Sequence, residues 1–241
     1  MEGPTYWGVA GSPISHSLTP KLFQIMAKIT GVEEAEQVLL TVSDMDQFID
    51  EVSRMDGDLW ISCTYPLKHM VTSSLGVSSP EGVSAVNQLR RSEGKWYGAN
   101  TDGMGFLTAC RHIGIEPSRS TLMMRGGGST ARSIAAAWSS EGGYIMPVLG
   151  RRKLEGGPWD SCILDSGEAD ISIDLDAEPA GEESFDMESR HQVSITYGSD
   201  SRSDEFAIMV LVAQHIEAWR ALFAPEISTE LPSLDDVLTL I

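Results

Sequence analysis

The sequence predicts an α/β protein of two domains, and three observations carry that expectation. Strand-like and helix-like segments alternate at short spacing between residues 5 and 63, the pattern of a parallel sheet covered by helices. Residues 83–101 then hold two strand-like runs around Ser92-Glu93-Gly94, a hairpin signature. A second β-α-β pattern begins after Gly114 and Pro117, which sets domain boundaries of 1–102 and 103–204. With 241 residues, 41% of them hydrophobic and 22% charged, the chain is long enough to bury one large core or two small ones.

Taken in chain order, residues 5–10 (TYWGVA) form a short strand that Gly11-Ser12-Pro13 breaks. Leu18 to Ile29 has helical spacing, with Leu22, Phe23, Ile25, Met26 and Ile29 on one side and Gly31 as the stop. Gln37 to Val42 reads as a strand. Ser43, with Asp46 three residues on, resembles a capping box for a helix running to Met55. Leu59 to Cys63 is the third strand, and Asp102 can cap a helix through His112. In the second half, TLMM (121–124), GGGSTARSIAAAW (126–138) and GYIMPVL (143–149) give strand, turn-helix and strand. ADISID (169–174) and QVSITY (192–197) are further strands, and Glu205 to Phe223 is a helix.

The formal net charge of −18 argues against broad binding to a nucleic-acid backbone, which needs a positive surface. An anionic small ligand would instead need its own local bases or main-chain N–H donors. Cys63, Cys110 and Cys162 have no disulfide or zinc spacing, and His16, His69, His112, His191 and His215 have no metal-ligand spacing. No metal is expected. The longest apolar run, Phe206 to Ala213, is shorter than the roughly 20 residues of a membrane span. The first residues, MEGPTYWGVAG, lack the pattern of a signal peptide, so a cytoplasmic location is expected. The acid-rich stretch Asp165 to Glu188 reads as solvated surface, Trp60, Trp138 and Trp219 as core, and Cys63 as inert packing.

Gly126-Gly127-Gly128-Ser129-Thr130-Ala131 follows a strand and opens a helix, the context of a dinucleotide-binding turn in a Rossmann-like domain. There the free N–H groups and the positive end of the helix dipole would receive phosphates. Where an NAD-selective protein places an acid, after the next strand, this chain has Gly150-Arg151-Arg152-Lys153. Guanidinium groups suit a 2′-phosphate, so the expected cofactor is NADP.

Three segments put small polar groups where strands or turns of the first half end: GSPISHSLTP (11–20), SCTYPLK (62–68) and GANTDG (98–103). Ligands of open parallel sheets bind outside the carboxyl ends of the strands. Ser15, Ser17 and Thr19 could satisfy a carboxylate by neutral hydrogen bonds, with Lys68 and Asp102 holding a hydroxyl or carbonyl between them.

These segments resemble the shikimate dehydrogenase family, which reduces 3-dehydroshikimate with NADPH on the route to aromatic amino acids. The family's P-I-x-H-S-x-S-P is met by Pro13 to Pro20, and its N-V-T-x-P-x-K by Ser62 to Lys68. Its A-x-N-T and N-T-D-G-x-G-F are met by Ala85 to Gln88 and Asn100 to Phe106, and its glycine turn by Gly126 to Arg132. The resemblance covers residues 6–153 in order. It implies a substrate domain with a mostly parallel sheet, a Rossmann-like nucleotide domain, and last helices (205–241) returning to the first domain. It also implies Lys68 as general acid with Asp102 orienting it, and Ser17 and Thr19 on the substrate carboxylate. Thr64 and Asn87 would sit on the ring hydroxyls, with Tyr197 and Gln214 as further substrate contacts. Gly126, Gly127, Gly128, Ser129, Thr130, Gly150, Arg151 and Arg152 would hold NADP. The implied partner is the small-molecule substrate alone, without nucleic acid or membrane, in a monomer or homodimer.

The chain departs from the family pattern at several points. Ser62 replaces an asparagine, and Thr19 replaces a serine, a change found in relatives that also accept quinate. Asp174-Leu175-Asp176-Ala177-Glu178 stands where the family has N-A-T-x-x-G, bringing carboxylates toward a phosphate-rich cofactor. The stretch between Tyr197 and Gln214 is short, and Ala207 stands in place of a glycine. Quinate or amino-shikimate dehydrogenation stays open, as does a relative that binds a hydroxylated cyclic acid without turnover. The presence of both Lys68 and Asp102 favours an enzyme.

Overall fold

A computed structural model of the chain describes residues 2–176, 187–197, 202 and 205–241. It divides into two compact units: residues 1–80, 84–101 and 215–241, and residues 81–83 and 102–214. Residues 81–83 apart, one division falls at Thr101/Asp102, where 102/103 was expected. Another falls at Gln214/His215, inside a helix, where 204/205 was expected.

The first unit is built on a five-stranded sheet. Its strands are β1 (Tyr6–Gly11), β2 (Glu36–Thr41), β3 (Leu59–Cys63), β4 (Gln88–Ser92) and β5 (Lys95–Ala99), in the order β2-β1-β3-β4-β5. The first three run parallel, whereas β4 is antiparallel to β3 and β5 to β4. The sheet is therefore mixed where a mostly parallel one was expected. Glu93 (φ 49°) and Gly94 (φ 74°) form a two-residue turn that reverses the chain without a crossover helix.

Helix α1 (Thr19–Thr30) buries Leu22, Phe23, Met26 and Ala27 and stops at Gly31 in the left-handed conformation; Ile29, expected on the buried side, is exposed. Helix α2 (Met45–Ser53) starts one residue later than its expected cap allows. Asp44, not Ser43, holds the extended N-cap geometry and accepts the Gln47 N–H at 2.9 Å, while Gln47 Oε1 accepts the Ser43 N–H at 3.0 Å. The helix ends at Ser53 rather than Met55, because Arg91 on β4 donates to the carbonyls of Val52, Met55 and Gly57. A short helix, α3 (Val71–Leu75), follows β3. Phe23 anchors an aromatic cluster with Trp7, His215, Trp219 and Phe223, and Trp60 stacks on Phe223 at 5.2 Å. Residues 215–223 thus pack into the core of this unit.

The second unit holds a fully parallel sheet: β6 (Thr121–Arg125), β7 (Tyr144–Val148), β8 (Ile171–Asp174) and β9 (His191–Val193), in the order β7-β6-β8-β9. β9 stops at Val193, short of the strand expected to reach Tyr197. Its helices are α4 (Asp102–His112), α5 (Ser129–Ser140) and the first part of α6 (Phe206–Ala218). Asp102, expected as a cap, is the first helical residue of α4. In α5, Ala131, Ile134, Ala135 and Trp138 recur at helical spacing and are buried. A Cβ on Gly103 would overlap the Ser133 carbonyl, and the Gly103 N–H donates to Ser133 Oγ at 2.8 Å, so α4 and α5 touch backbone to backbone.

Helix α6 continues as a π-helical turn, Trp219–Phe223. By length and composition alone the 18 residues Phe206–Phe223 could cross a membrane, a longer stretch than the run to Ala213 noted in the sequence. They are 61% buried within the protein, as core helices are. A short helix, α7 (Leu234–Leu238), ends the chain with a capping box between Ser233 and Asp236.

Arg91 closes the end of α2 and lies over the Trp96 ring at 5.6 Å. Hydrogen bonds to charged groups contribute roughly 1.5–3 kcal/mol each net of solvent, and less where the group is partly exposed, as Arg91 is. Arg91→Ala should therefore lower unfolding free energy by about 2 kcal/mol in urea titration, with an unchanged m-value; a loss under about 0.5 kcal/mol would show that water replaces these bonds.

Candidate functional site

In the first unit, segments distant in sequence meet at the carboxyl edge of the sheet. Parallel strands end with unpaired main-chain groups, and here the loops pair with one another. Ser12 N–H donates to the Tyr65 carbonyl (2.8 Å), Thr64 N–H to Ala10 (3.0 Å), Cys63 N–H to Asn87 (2.7 Å) and Val86 N–H to Lys68 (2.8 Å). Only glycine fits at position 11. Its φ is +139°, and a Cβ there would lie 2.5 Å from Thr64 Cγ2 and 2.6 Å from the Tyr65 oxygen. This stitching brings the segments of Ser17, Thr19, Thr64, Lys68 and Asn87 to one edge. Lys68 sits half-buried in a short turn, Leu67–His69, directly after β3.

The hydroxyls at this edge are already organised. Ser17 Oγ accepts the Thr19 N–H at 3.3 Å, which leaves the Ser17 proton able to donate outward. Thr19, 3% exposed, has its Oγ1 3.2 Å from Nε2 of His215, 1% exposed. Nδ1 of His215 is buried and has no partner among the described residues. A proton on Nδ1 would be a buried donor with nothing to accept it, so Nε2 carries the proton and donates to Thr19. The Thr19 hydroxyl is then free to donate. Burial lowers the His215 pKa from 6.5 to about 4, keeping the ring neutral.

Asn87 braces the backbone. Its Oδ1 accepts the Thr101 N–H at 2.8 Å and its Nδ2 donates to Thr101 Oγ1 at 3.2 Å, fixing the residue before Asp102. Ser62, in place of the family's asparagine, is buried and donates to Gln88 Oε1 at 2.7 Å, so the substitution is satisfied within the sheet. The Cys63 thiol is pushed up to about 12 by burial, with the Lys68 charge opposing more weakly, which fits inert packing.

The second unit carries the remaining candidates. Asp102, 1% exposed, accepts the Thr130 hydroxyl at 3.2 Å, so this threonine of the glycine turn is engaged by α4. Gln214 packs against Gly105, where any Cβ would overlap its side chain. Tyr197 lies half-buried beyond β9. Gly128 is the N-cap of α5, and a Cβ built there would meet nothing within 4 Å among the described residues. Ser129 and Thr130 begin the helix beside this open space. Arg151, Arg152 and Lys153 are exposed after β7. Burial and the Arg152 charge both lower the Arg132 pKa, which puts two guanidinium groups within repelling distance of each other. An open helix N-terminus beside clustered bases fits a dinucleotide phosphate group.

The carboxylates after β8 turn out to be engaged. Asp174 pairs with Arg125 at 3.0 Å and accepts the Asp176 N–H at 2.9 Å. That turn points Asp176 at the ends of β6 and β7, where it accepts the Arg151 N–H and lies 3.8 Å from Arg151 Nε. Ala177 and Glu178 lie outside the described residues.

Lys68 falls in the first unit and Asp102 in the second, so neither unit by itself contains the expected pair. Two residues escaped the sequence reading. His215 was set aside for want of metal spacing, although it bonds a candidate hydroxyl 196 positions away. Asp176 was read only as a charge opposed to the cofactor, whereas it is bonded to the basic turn. No metal-binding cluster occurs among the described residues.

A strand-edge cluster of hydroxyls with one lysine, in a chain with a separate parallel-sheet unit and a glycine turn, defines a two-domain α/β protein. The chain has the fold of the shikimate dehydrogenases. Shikimate 5-dehydrogenase of Thermus thermophilus, solved in complex with NADP(H) and shikimate, matches it with a TM-score of 0.73 at 22% identity over 97% of each chain. Shikimate dehydrogenase 1 of Peptoclostridium difficile gives 0.73 at 18% identity, covering 98% of this chain and 97% of the other. In sequence, the chain is 32% identical over 137 residues to shikimate dehydrogenase (NADP(+)) of Syntrophomonas wolfei, 56% of this chain and 47% of that protein. It spans about half the length of the curated relatives it matches. No family model matches the chain.

The depressed pKa of His215 gives stability a pH dependence. The unfolded chain takes up this proton near pH 6.5 and the folded chain only near 4, so stability is full above 6.5 and falls as pH drops toward 4. From pH 7 to pH 5 the wild type should lose about 2 kcal/mol more than His215→Gln in urea titrations. Parallel losses in the two proteins would mean the imidazole is not held neutral.

Proposed function

We propose that the chain is an NADP-dependent shikimate dehydrogenase, reversibly reducing 3-dehydroshikimate to shikimate. The observation that supports this is the stitched carboxyl edge of the first sheet, which gathers the segments of Ser17, Thr19, Thr64 and Lys68. The similarity to proteins named shikimate dehydrogenase (NADP(+)) supports the same substrate. Gly126 to Thr130 would receive the pyrophosphate, and Arg151 and Arg152 the 2′-phosphate.

The bound dinucleotide would supply hydride to the ring carbonyl carbon. Ser17 and Thr19 anchor the carboxylate by donated hydrogen bonds, so an acidic protein holds an anion without a large basic patch. Thr64 fixes a ring hydroxyl. Lys68 donates a proton to the carbonyl oxygen as charge develops there, and takes it back in the oxidative direction. The role of orienting the reacting hydroxyl is the one the family resemblance implies for Asp102, in the second unit.

Lys68→Ala should lower turnover by about 10²–10⁴-fold while the dissociation constant for NADPH changes less than about twofold, measured by absorbance assay and titration. Unchanged turnover with shikimate, and with quinate as a control, would remove the lysine from the mechanism. Arg151→Ala should weaken NADPH far more than NADH in fluorescence titration; equal losses would place the 2′-phosphate elsewhere.

A further inference from the structure

The three bases after β7 are not alone. An acid reaches them from β8, a strand that is not β7's neighbour in the sheet, since the order is β7-β6-β8-β9. Asp174 is held by Arg125 and accepts the Asp176 N–H, and this turn carries the Asp176 side chain across the end of β6. Its carboxylate accepts the Arg151 N–H and lies beside that residue's Nε, and it is only 10% exposed. The surrounding backbone is shaped to admit it. A Cβ on Gly150 would overlap the Asp176 carboxylate, and one on Gly126 would lie 3.1 Å from Asp176 Oδ1.

Resting on the proposed dinucleotide site, we propose that Asp176 is its specificity-determining residue, weakening the grip on a 2′-phosphate and admitting the unphosphorylated ribose. A phosphate arriving at the Gly150–Lys153 turn needs main-chain N–H donors and the Arg151 guanidinium. Asp176 already occupies the Arg151 N–H and faces its side chain, so a phosphate must displace a carboxylate of like charge. A ribose diol donates hydrogen bonds, and a carboxylate is the acceptor that suits it. The acid thus stands functionally where an NAD-selective protein has one, although it comes from a different strand.

The test is calorimetric titration of NADPH and NADH into the full chain and two variants, with circular dichroism to confirm folding. Asp176→Asn keeps the shape and removes the charge. Gly150→Ala keeps the charge and expels the carboxylate by its new Cβ. Both should shift the ratio of the NADH to the NADPH dissociation constant tenfold or more toward NADPH. In an Arg151→Ala background the Asp176→Asn gain should shrink to under threefold, because Asp176 acts through that residue. A ratio within twofold of wild type in Asp176→Asn, or a gain that persists without Arg151, overturns the proposal and leaves the dinucleotide site standing. No binding of either dinucleotide to any of these proteins overturns both.

Discussion

The site in the first unit depends on one constraint: the main-chain groups left over at the carboxyl edge of the sheet must find partners. They find them in each other's loops. Thr64 N–H bonds back to Ala10, Ser12 N–H reaches Tyr65, and Val86 N–H reaches Lys68. Each bond that satisfies a polar group near the sheet also fixes a candidate site residue. The positions of Ser17, Thr64, Lys68 and Asn87 are thus by-products of backbone accounting, and Gly11 is the point where two loops come too close for any side chain.

Charge explains the contrast between the two units. A protein of net charge −18 cannot rely on its overall field to hold an anion. The candidate site of the first unit offers hydroxyl donors beside a single lysine, Lys68. The buried His215 belongs to this scheme, since a neutral ring that donates to Thr19 frees a hydroxyl proton without adding charge. The second unit offers main-chain N–H groups and bases, then moderates them with its own acids. Asp174 and Asp176 each sit against a guanidinium, so the acidic segment read from the sequence as opposed to a cofactor is partly neutralised within the fold.

What the sequence disclosed was local chemistry. The stop at Gly31, the hairpin at Glu93-Gly94, the glycine turn before α5 and the strand-end hydroxyls are each encoded within a few residues, and each was legible. The α2 cap was misplaced by one residue because Ser43 and Asp44 both suit a cap, and only the buried register of Met45, Phe48 and Val52 decides between them. The mixed character of the first sheet was not legible, since a hairpin signature does not say which strand it will pair with. Contacts at long separation were invisible: Thr19 with His215, and Arg151 with Asp176, 25 positions apart. His215 differs from a surface histidine only by the apolar run around it.

The glycines of the second unit can be sorted by what requires them. Gly126 and Gly150 make room for the Asp176 carboxylate, and a Cβ on Gly127 would overlap the Lys153 carbonyl. These three are accounted for by the protein's own atoms, with or without a nucleotide. Gly128 is different. Its φ of −73° is open to any residue, and a Cβ there would meet nothing within 4 Å among the described residues, so neither its conformation nor its described neighbours call for glycine. It stands at the N-cap of α5, a position where serine, asparagine or aspartate would stabilise the helix by a few tenths of a kcal/mol more. A side chain at that point would project into the space before the helix N–H groups. That approach to the helix N–H groups is the one a phosphate in the proposed dinucleotide site would use.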